Sequence, residues 1–385
     1  MKKILIIVYT LAISIGVYAQ EITPQPALPA FYNKLTFNSD MRFRLENDFN
    51  GITASGSEQD DRIRMRIRAR FGFNYNFNEH FDFGMRIRTG NNLDQQSPHI
   101  TLGSPGEFGT IPIGLDKAYI KYNSKNFFLW AGKNSFPFYT NNELFWDDDV
   151  NPEGVTVGYT SKSESGLEIK PTIGYYIVGS QGDFFGKDRS LTVGQLYIKK
   201  NVSTSAINVA AGFFAFNNLS NTPDGSGTYT LDYDIMTVAA KYTQKLKVPI
   251  SIGVDLMMNF TDYSADSNIT VNAMEDETLG YVINLEAGQL ANKGNFLIGY
   301  YYSHIEKYSV VDYFAQDDWT RWGFDSAPGT RSSNFAGHEI RLGYALSPKN
   351  NLVFRAYFLE GIQQNYPDAT LEKNSRIRLD WNIAF

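Results

Sequence analysis

Between Asp61 and Phe77 the chain reads DRIRMRIRARFGFNYNF, with arginine at every second position from Arg62 to Arg70. Ile63, Met65, Ile67, Ala69, Phe71, Phe73, Tyr75 and Phe77 occupy the alternate register. A two-residue step turns an α-helix by about 200°, which would scatter the arginines around the cylinder and leave no apolar face. A β-strand returns to the same side every second residue, so the segment acquires one cationic and one apolar face. The chain is committed to a sheet whose two sides meet different surroundings.

The alternation recurs to the last residue. Leu35, Phe37, Met41, Phe43 and Leu45 form one apolar set, and Ile377, Leu379, Trp381, Ile383 and Phe385 form the last. Each set covers about ten residues, the length of a tilted strand across a bilayer. Short and long connections take turns. Tight turns are expected near 78–80, 123–126, 161–166, 201–203, 244–248, 291–294 and 347–350. Longer polar loops are expected at 48–60, 90–113, 134–154, 180–189, 217–228, 262–276, 309–334 and 361–374. Seven turns and eight loops give about 16 strands, with 14 to 18 allowed because phase is ambiguous at Phe127–Gly132 and Gly194–Ile198. The pattern predicts an all-β fold, a transmembrane antiparallel up-and-down β-barrel with short periplasmic turns and long extracellular loops.

The opening MKKILIIVYTLAISIGVYAQ puts Lys2 and Lys3 ahead of an apolar run from Ile4 to Val17, followed by the small Ala19. This is the pattern of a secretory signal peptide cleaved after Ala19, too short for a spanning helix. The expected organisation is a signal peptide at 1–19, a periplasmic lead at 20–34 and an outer-membrane barrel over 35–385. No later window is apolar enough for a helical span. The absence of cysteine excludes a disulfide framework, a thiolate metal site and a lipid anchor at the cleavage point. Aromatic residues at 15% beside charged residues at 20% fit many strands with aromatic girdles better than a helical enzyme.

An arginine on the lipid face near the bilayer middle costs roughly 2 to 4 kcal/mol, so a register slip placing several there would cost on the order of 10 kcal/mol. The arginines are therefore expected in the lumen. Arg42 and Arg44 precede them on one strand and Arg86 and Arg88 follow on the next. Arg376 and Arg378 lie on the last strand, which neighbours the first on closure. Pairing Phe77 with Phe81 sets Arg88 beside Arg70. Eleven of the chain's sixteen arginines, Arg42, Arg44, Arg62, Arg64, Arg66, Arg68, Arg70, Arg86, Arg88, Arg376 and Arg378, thus form a pore-lining basic wall on four adjacent strands. Guanidiniums about 7 Å apart repel by only ~0.6 kcal/mol per pair in water and by many times that in a dry interior. The wall needs water or facing carboxylates, and both suit a water-filled channel. A net charge of −6 and a lipid-compatible opposite face argue against nucleic acid as a partner.

The loop after the fifth strand contains PFYTNNELFWDDDVNPEG, with Glu143, Asp147, Asp148, Asp149 and Glu153 close together. It could be solvated, bind calcium, or fold inward as a constriction loop opposite the arginines. The run lacks the spaced ligands and sharp glycine of the common calcium loop, so no metal is expected. The inward fold is preferred, with the solvated loop left open. Facing arginines would favour the charged acids. Tyr139, Phe145 and Trp146 could stack on sugar rings, although anchoring the loop is the preferred role. The runs LDKAYIKY at Leu115–Tyr122 and FFLWAGKNSFPFYTNNELFWDDDVNPEG at Phe127–Gly154 resemble the signature region of the putative-porin family of Gram-negative outer-membrane barrels. The terminal RIRLDWNIAF, closing on Phe385, resembles the signal that directs such barrels to their assembly machinery. The resemblance implies a channel for small solutes and a pore role for the loop from Phe136 to Gly154.

Catalysis is not expected, because no histidine is aligned with a nucleophile. His80 falls in a turn and His99 in a loop. His304 and Ser303 are adjacent on a strand and point apart, and His338 shares the apolar register. No cofactor is expected either. The sequence leads to an outer-membrane porin for passive diffusion of small hydrophilic solutes, with a plugged structural or adhesive barrel as the alternative and a barrel enzyme less favoured. Expected partners are outer-membrane lipid and lipopolysaccharide, the barrel-assembly machinery and the solutes; the apolar outer face also admits a homotrimer.

Overall fold

The computed structural model describes residues 31–92, 94–104, 106–182, 186–220, 230–266, 269–320 and 332–385. The expected signal peptide at 1–19 and most of the expected lead at 20–34 lie outside these residues. At the end of the lead, Tyr32–Lys34 form a 3-10 turn and Phe31 packs on Tyr75 at 5.3 Å.

Sixteen antiparallel strands close into one barrel. They are β1 (Leu35–Ile52), β2 (Arg62–Asn76), β3 (Phe81–Thr89), β4 (Ile113–Asn123), β5 (Phe127–Lys133), β6 (Glu153–Tyr159), β7 (Leu167–Gly179) and β8 (Arg189–Val202). The second half contains β9 (Ser205–Ser220), β10 (Thr230–Gln244), β11 (Ile250–Asn259), β12 (Leu279–Gly288), β13 (Phe296–Ile305), β14 (Phe335–Ser347), β15 (Asn350–Gly361) and β16 (Lys373–Ala384). Each strand pairs with its sequence neighbours, and β1 closes on β16 from Asp40 opposite Ala384 to Asp48 opposite Arg376. Ser39 and Phe385 exchange backbone hydrogen bonds of 3.0 and 3.3 Å at the seam. Each expected turn and loop separates two consecutive strands, although β1 runs on to Ile52 and β9 to Ser220, into the loops expected at 48–60 and 217–228. Residues 221–228 and 321–331 of the expected loops lie outside the described residues, and Arg70 stands opposite Arg88 as the Phe77–Phe81 turn requires.

The outer surface carries the apolar sets: Ile63 is 72% exposed, and Met65, Phe71, Leu379 and Trp381 are exposed with it. The inner surface is divided. On one side the lumen wall is charged. On the other, from β7 round to β15, it presents Leu191, Val193, Phe214, Ile235, Met257, Val282 and Tyr357, all buried beneath loops that fold into the barrel. This division explains the ambiguous phase at β5 and β8. Trp130, within the first ambiguous segment, and Val193, just before the second, point inward as apolar residues packed into the buried cluster beneath the loops.

Single cysteines placed along β2 test the register in an otherwise cysteine-free chain. Arg62→Cys, Arg64→Cys and Arg66→Cys should react with a membrane-impermeant thiol reagent in reconstituted vesicles, whereas Ile63→Cys, Met65→Cys and Ile67→Cys should stay protected by lipid. Labelling without a two-residue period would rule the register out.

Candidate functional site: a charged wall and the loops folded against it

The wall is built in rows, because in-register pairing sets inner-face residues of successive strands side by side. One row runs Arg341, Arg355, Arg378, Glu46 and Arg64 across β14, β15, β16, β1 and β2. The next holds Asp380, Arg44 and Arg66, and a third holds Asp40, Arg70 and Arg88. Carboxylates are interleaved with the arginines. Arg44 Nε donates to Asp380 at 2.7 Å, and Arg62 reaches Asp48 at 2.8 Å. Arg64 pairs with Glu46, and Arg66 lies 3.5 Å from the same carboxylate. Arg68 and Arg70 share Asp40 at 3.0 and 2.8 Å. Arg86 and Arg88 share Asp116, and Arg376 pairs with Asp48. Arg42 donates to Asn382 Oδ1 at 2.6 Å.

The loop at 134–152 leaves the wall of the barrel through a paired glycine step. Gly132 and Gly154 face each other across β5 and β6, and Gly132 takes a φ of +121°. A Cβ at either would collide with a neighbouring strand's carbonyl, Ala118 or Tyr175, so the AGK and NPEG elements need glycine here. From this base the loop crosses the lumen. Phe136 stacks on Trp146 at 4.3 Å, Phe145 packs edge-on against Phe214 at 4.7 Å, and Trp146 stacks on Phe314 at 4.9 Å. Such pairs contribute about 0.5 to 1.5 kcal/mol each beyond the area they bury. Phe145 and Trp146 are buried in this packing, whereas Tyr139 lies half-buried against Tyr197 at 4.7 Å.

Asp149 meets Arg70 at 2.7 Å and Arg68 at 3.4 Å. Asp147 turns back to accept from the backbone N–H of Asp149, Glu143 accepts from Gln316, and Asp148 is exposed to the remaining lumen. Glu153 is not with them. It sits on β6, exposed, paired with Lys133 at 2.6 Å, because the chain has already rejoined the sheet. Glu143, Asp147 and Asp148 lie outside the spanning strands, and desolvation inside the barrel with repulsion from neighbouring acids raises all three carboxyls, Glu143 to about 8. These shifts run against the expectation that facing arginines favour the charged acids.

A second inward loop escaped sequence reasoning. The segment 306–320 bonds to the first loop through Asp147 N–H to Phe314 O at 2.7 Å and Gln316 N–H to Glu143 O at 3.1 Å. Gln96, on the loop after β3, donates to Asp312 O and Ala315 O at 2.9 and 2.6 Å. Asp318 is clamped between Arg44, at 3.0 Å, and Arg378. Burial pushes its carboxyl up, but the two guanidiniums outweigh it and hold the group well below the usual range. Where the loops meet the wall, Arg42, Arg355 and Arg378 face Glu143, Asp147, Asp148, Asp149, Asp317 and Asp318 across a gap of about 20 Å³, room for roughly one water. His99 also borders the gap. Toward the short-turn end the lumen opens into a cavity of about 510 Å³ bordered by Asp40, Arg86, Lys117 and Tyr119. Asp40, Glu46, Asp48, Asp116 and Asp380 share the arginines' strand face and were readable from parity; nothing in the local pattern marks Asp318 or His99.

A closed sixteen-stranded barrel with lipid-compatible outer residues and a charged, loop-narrowed interior defines the class of outer-membrane porins. The sequence model of the family described as Putative porin matches residues 54–245, and the chain belongs to that family. It is an outer-membrane channel for solute diffusion. Among solved structures the barrel is similar to OprB of Pseudomonas putida, with a TM-score of 0.57 and 10% identity over 92% of this chain and 95% of that one. OmpF of Salmonella typhi has a TM-score of 0.52 and 11% identity over 92% and 99% of the two chains. The anion-selective porin of Comamonas acidovorans has 0.52 and 12% over 91% and 99%. At these identities the likeness is one of fold. No curated protein matches the chain.

The clamp supplies a stability test. Asp318→Asn removes the charge shared by Arg44 and Arg378 while keeping the side chain's shape, and leaving buried guanidiniums short of a partner should cost on the order of 3 kcal/mol. Thermal unfolding in detergent micelles should begin earlier, and the single-channel conductance should rise as the 306–320 loop loosens.

Proposed function

We propose that solutes cross beside the basic wall, through the gap where Arg42 and Arg355 oppose Asp148 and Asp317, in a non-enzymatic channel. The observation that carries this reading is the meeting of opposite charges around one small gap between the loops and the wall. Such an eyelet has a field transverse to the pore, which orients dipolar solutes and favours small hydrophilic molecules over apolar ones of the same size. The loop from Phe136 to Pro152 sets the width, with Glu143, Asp147, Asp148 and Asp149 on its inner edge. Two supporting roles complete the proposal: export through cleavage after Ala19, and recognition of the β16 strand ending at Phe385 by the assembly machinery. A homotrimer is compatible with the apolar outer face, and one similar barrel, OmpT of Vibrio cholerae, has been solved in a trimer form.

The size of the gap favours a second reading, a barrel plugged by its own loops, with a structural or adhesive role. Planar-bilayer recording separates the two. Stable open-channel steps support the eyelet, and liposome swelling with sugars, amino acids and organic acids then ranks the solutes; silence at every potential supports the plug. In a salt gradient, Arg42→Gln with Arg355→Gln should move the reversal potential toward cation selectivity. An unchanged reversal potential would mean that ions take another path.

A further inference from the structure

The charges of this barrel are also sorted along its axis. The seven short connections carry Lys125, Lys162, Lys245, Lys247, Lys293 and Lys349, all exposed, against only Glu79 and Glu164. The opposite end has the reverse sign. Four of the long connections, at 53–61, 90–112, 260–278 and 362–372, hold twelve acidic residues and no lysine or arginine. Glu58, Asp60, Asp61, Asp262, Asp276 and Asp368 among them are exposed. Between the two mouths most arginines of the wall touch a carboxylate, several sharing one, so the surplus positive charge of the wall lies in the middle of the pore and does not distinguish one mouth from the other. The lysine rim continues inward as Lys117 and Lys121, which border cavities of about 510 and 590 Å³ at the short-turn end.

We infer that this porin rectifies: ions pass more readily when the long-loop, extracellular side is positive. The inference rests on the channel reading above and adds a direction to it. An acidic mouth concentrates cations and a lysine mouth concentrates anions over about one Debye length, ~10 Å at 0.1 M salt. With the extracellular side positive, cations enter through the mouth that gathers them and anions through theirs, so both load the lumen. With the opposite sign each ion must enter through the mouth that repels it, and the lumen is depleted. Small organic anions would, by the same argument, enter most readily from the periplasmic side.

Orientation can be imposed in a planar bilayer. Ser57→Cys, on an exposed extracellular loop, is biotinylated and bound to streptavidin, which cannot cross the membrane and keeps that end in the chamber of addition. In 0.1 M KCl the conductance at +100 mV on the extracellular side should exceed that at −100 mV by about 1.5-fold or more, and the ratio should fall close to one in 2 M KCl, where the Debye length is below about 3 Å. Replacing the six rim lysines with glutamine, on the same tagged background, should bring the 0.1 M ratio toward one with the arginine wall untouched. A symmetric or reversed ratio in 0.1 M salt, a ratio that survives 2 M salt, or one indifferent to the lysine replacements overturns the inference while leaving the channel standing. A protein that conducts at no potential overturns both.

Discussion

Eleven guanidiniums are crowded on four neighbouring strands with most of them shielded by other side chains, and the rest of the interior is arranged to make that tolerable. The strands supply part of the answer themselves, since Asp40, Glu46 and Asp48 flank Arg42 and Arg44 on the same face of β1 and Asp380 accompanies Arg378 on β16. In-register pairing then turns a pattern along one strand into ion pairs across several. What the strands leave unpaired is met by loops. Asp149 completes Arg68 and Arg70, and Asp318 completes Arg44 and Arg378. Unpairing any of these would leave a buried charge, a penalty of several kcal/mol, and this is what holds the loops inside the barrel.

The opposite half of the lumen answers a different requirement. A loop that enters a pore must bury its own apolar residues, and Phe136, Phe145, Trp146 and Phe314 find Phe214, Phe216 and Tyr233 on the barrel wall. The loops are thus attached by aromatic packing on one side and by ion pairs on the other. On the path proposed above, solutes are left the charged margin. In that proposal the position of two segments sets the path while the sixteen strands remain a scaffold.

Much of this was legible without coordinates. The sets from Leu35 to Leu45 and from Ile377 to Phe385 predict outward faces that the barrel displays, and the long and short connections alternate as expected. The expected strand faces were clearest where one side meets lipid and the other meets water, as on β2. They were weakest at β5 and β8, where Trp130 and Val193 point inward onto loops, so that both faces of the strand are apolar and parity loses its meaning. The acidic run at Asp147–Asp149 marked its loop, but Glu153, three residues beyond Val150, belongs to β6 and the ion pair with Lys133, a boundary that composition cannot locate.

By itself the sequence determined the barrel, its strand register and the side of the sheet on which the arginines lie, because each of these follows from a two-residue period and the large cost of charge in lipid. Only the tertiary structure decided which carboxylates complete those arginines. Asp318 lies 274 residues from Arg44, and the segment that carries it has no period to announce an inward fold. Loop position depends on packing against surfaces distant in sequence, Phe314 on Trp146 and Gln96 on Ala315, and such contacts exist only once the barrel has closed and brought the loops over one lumen.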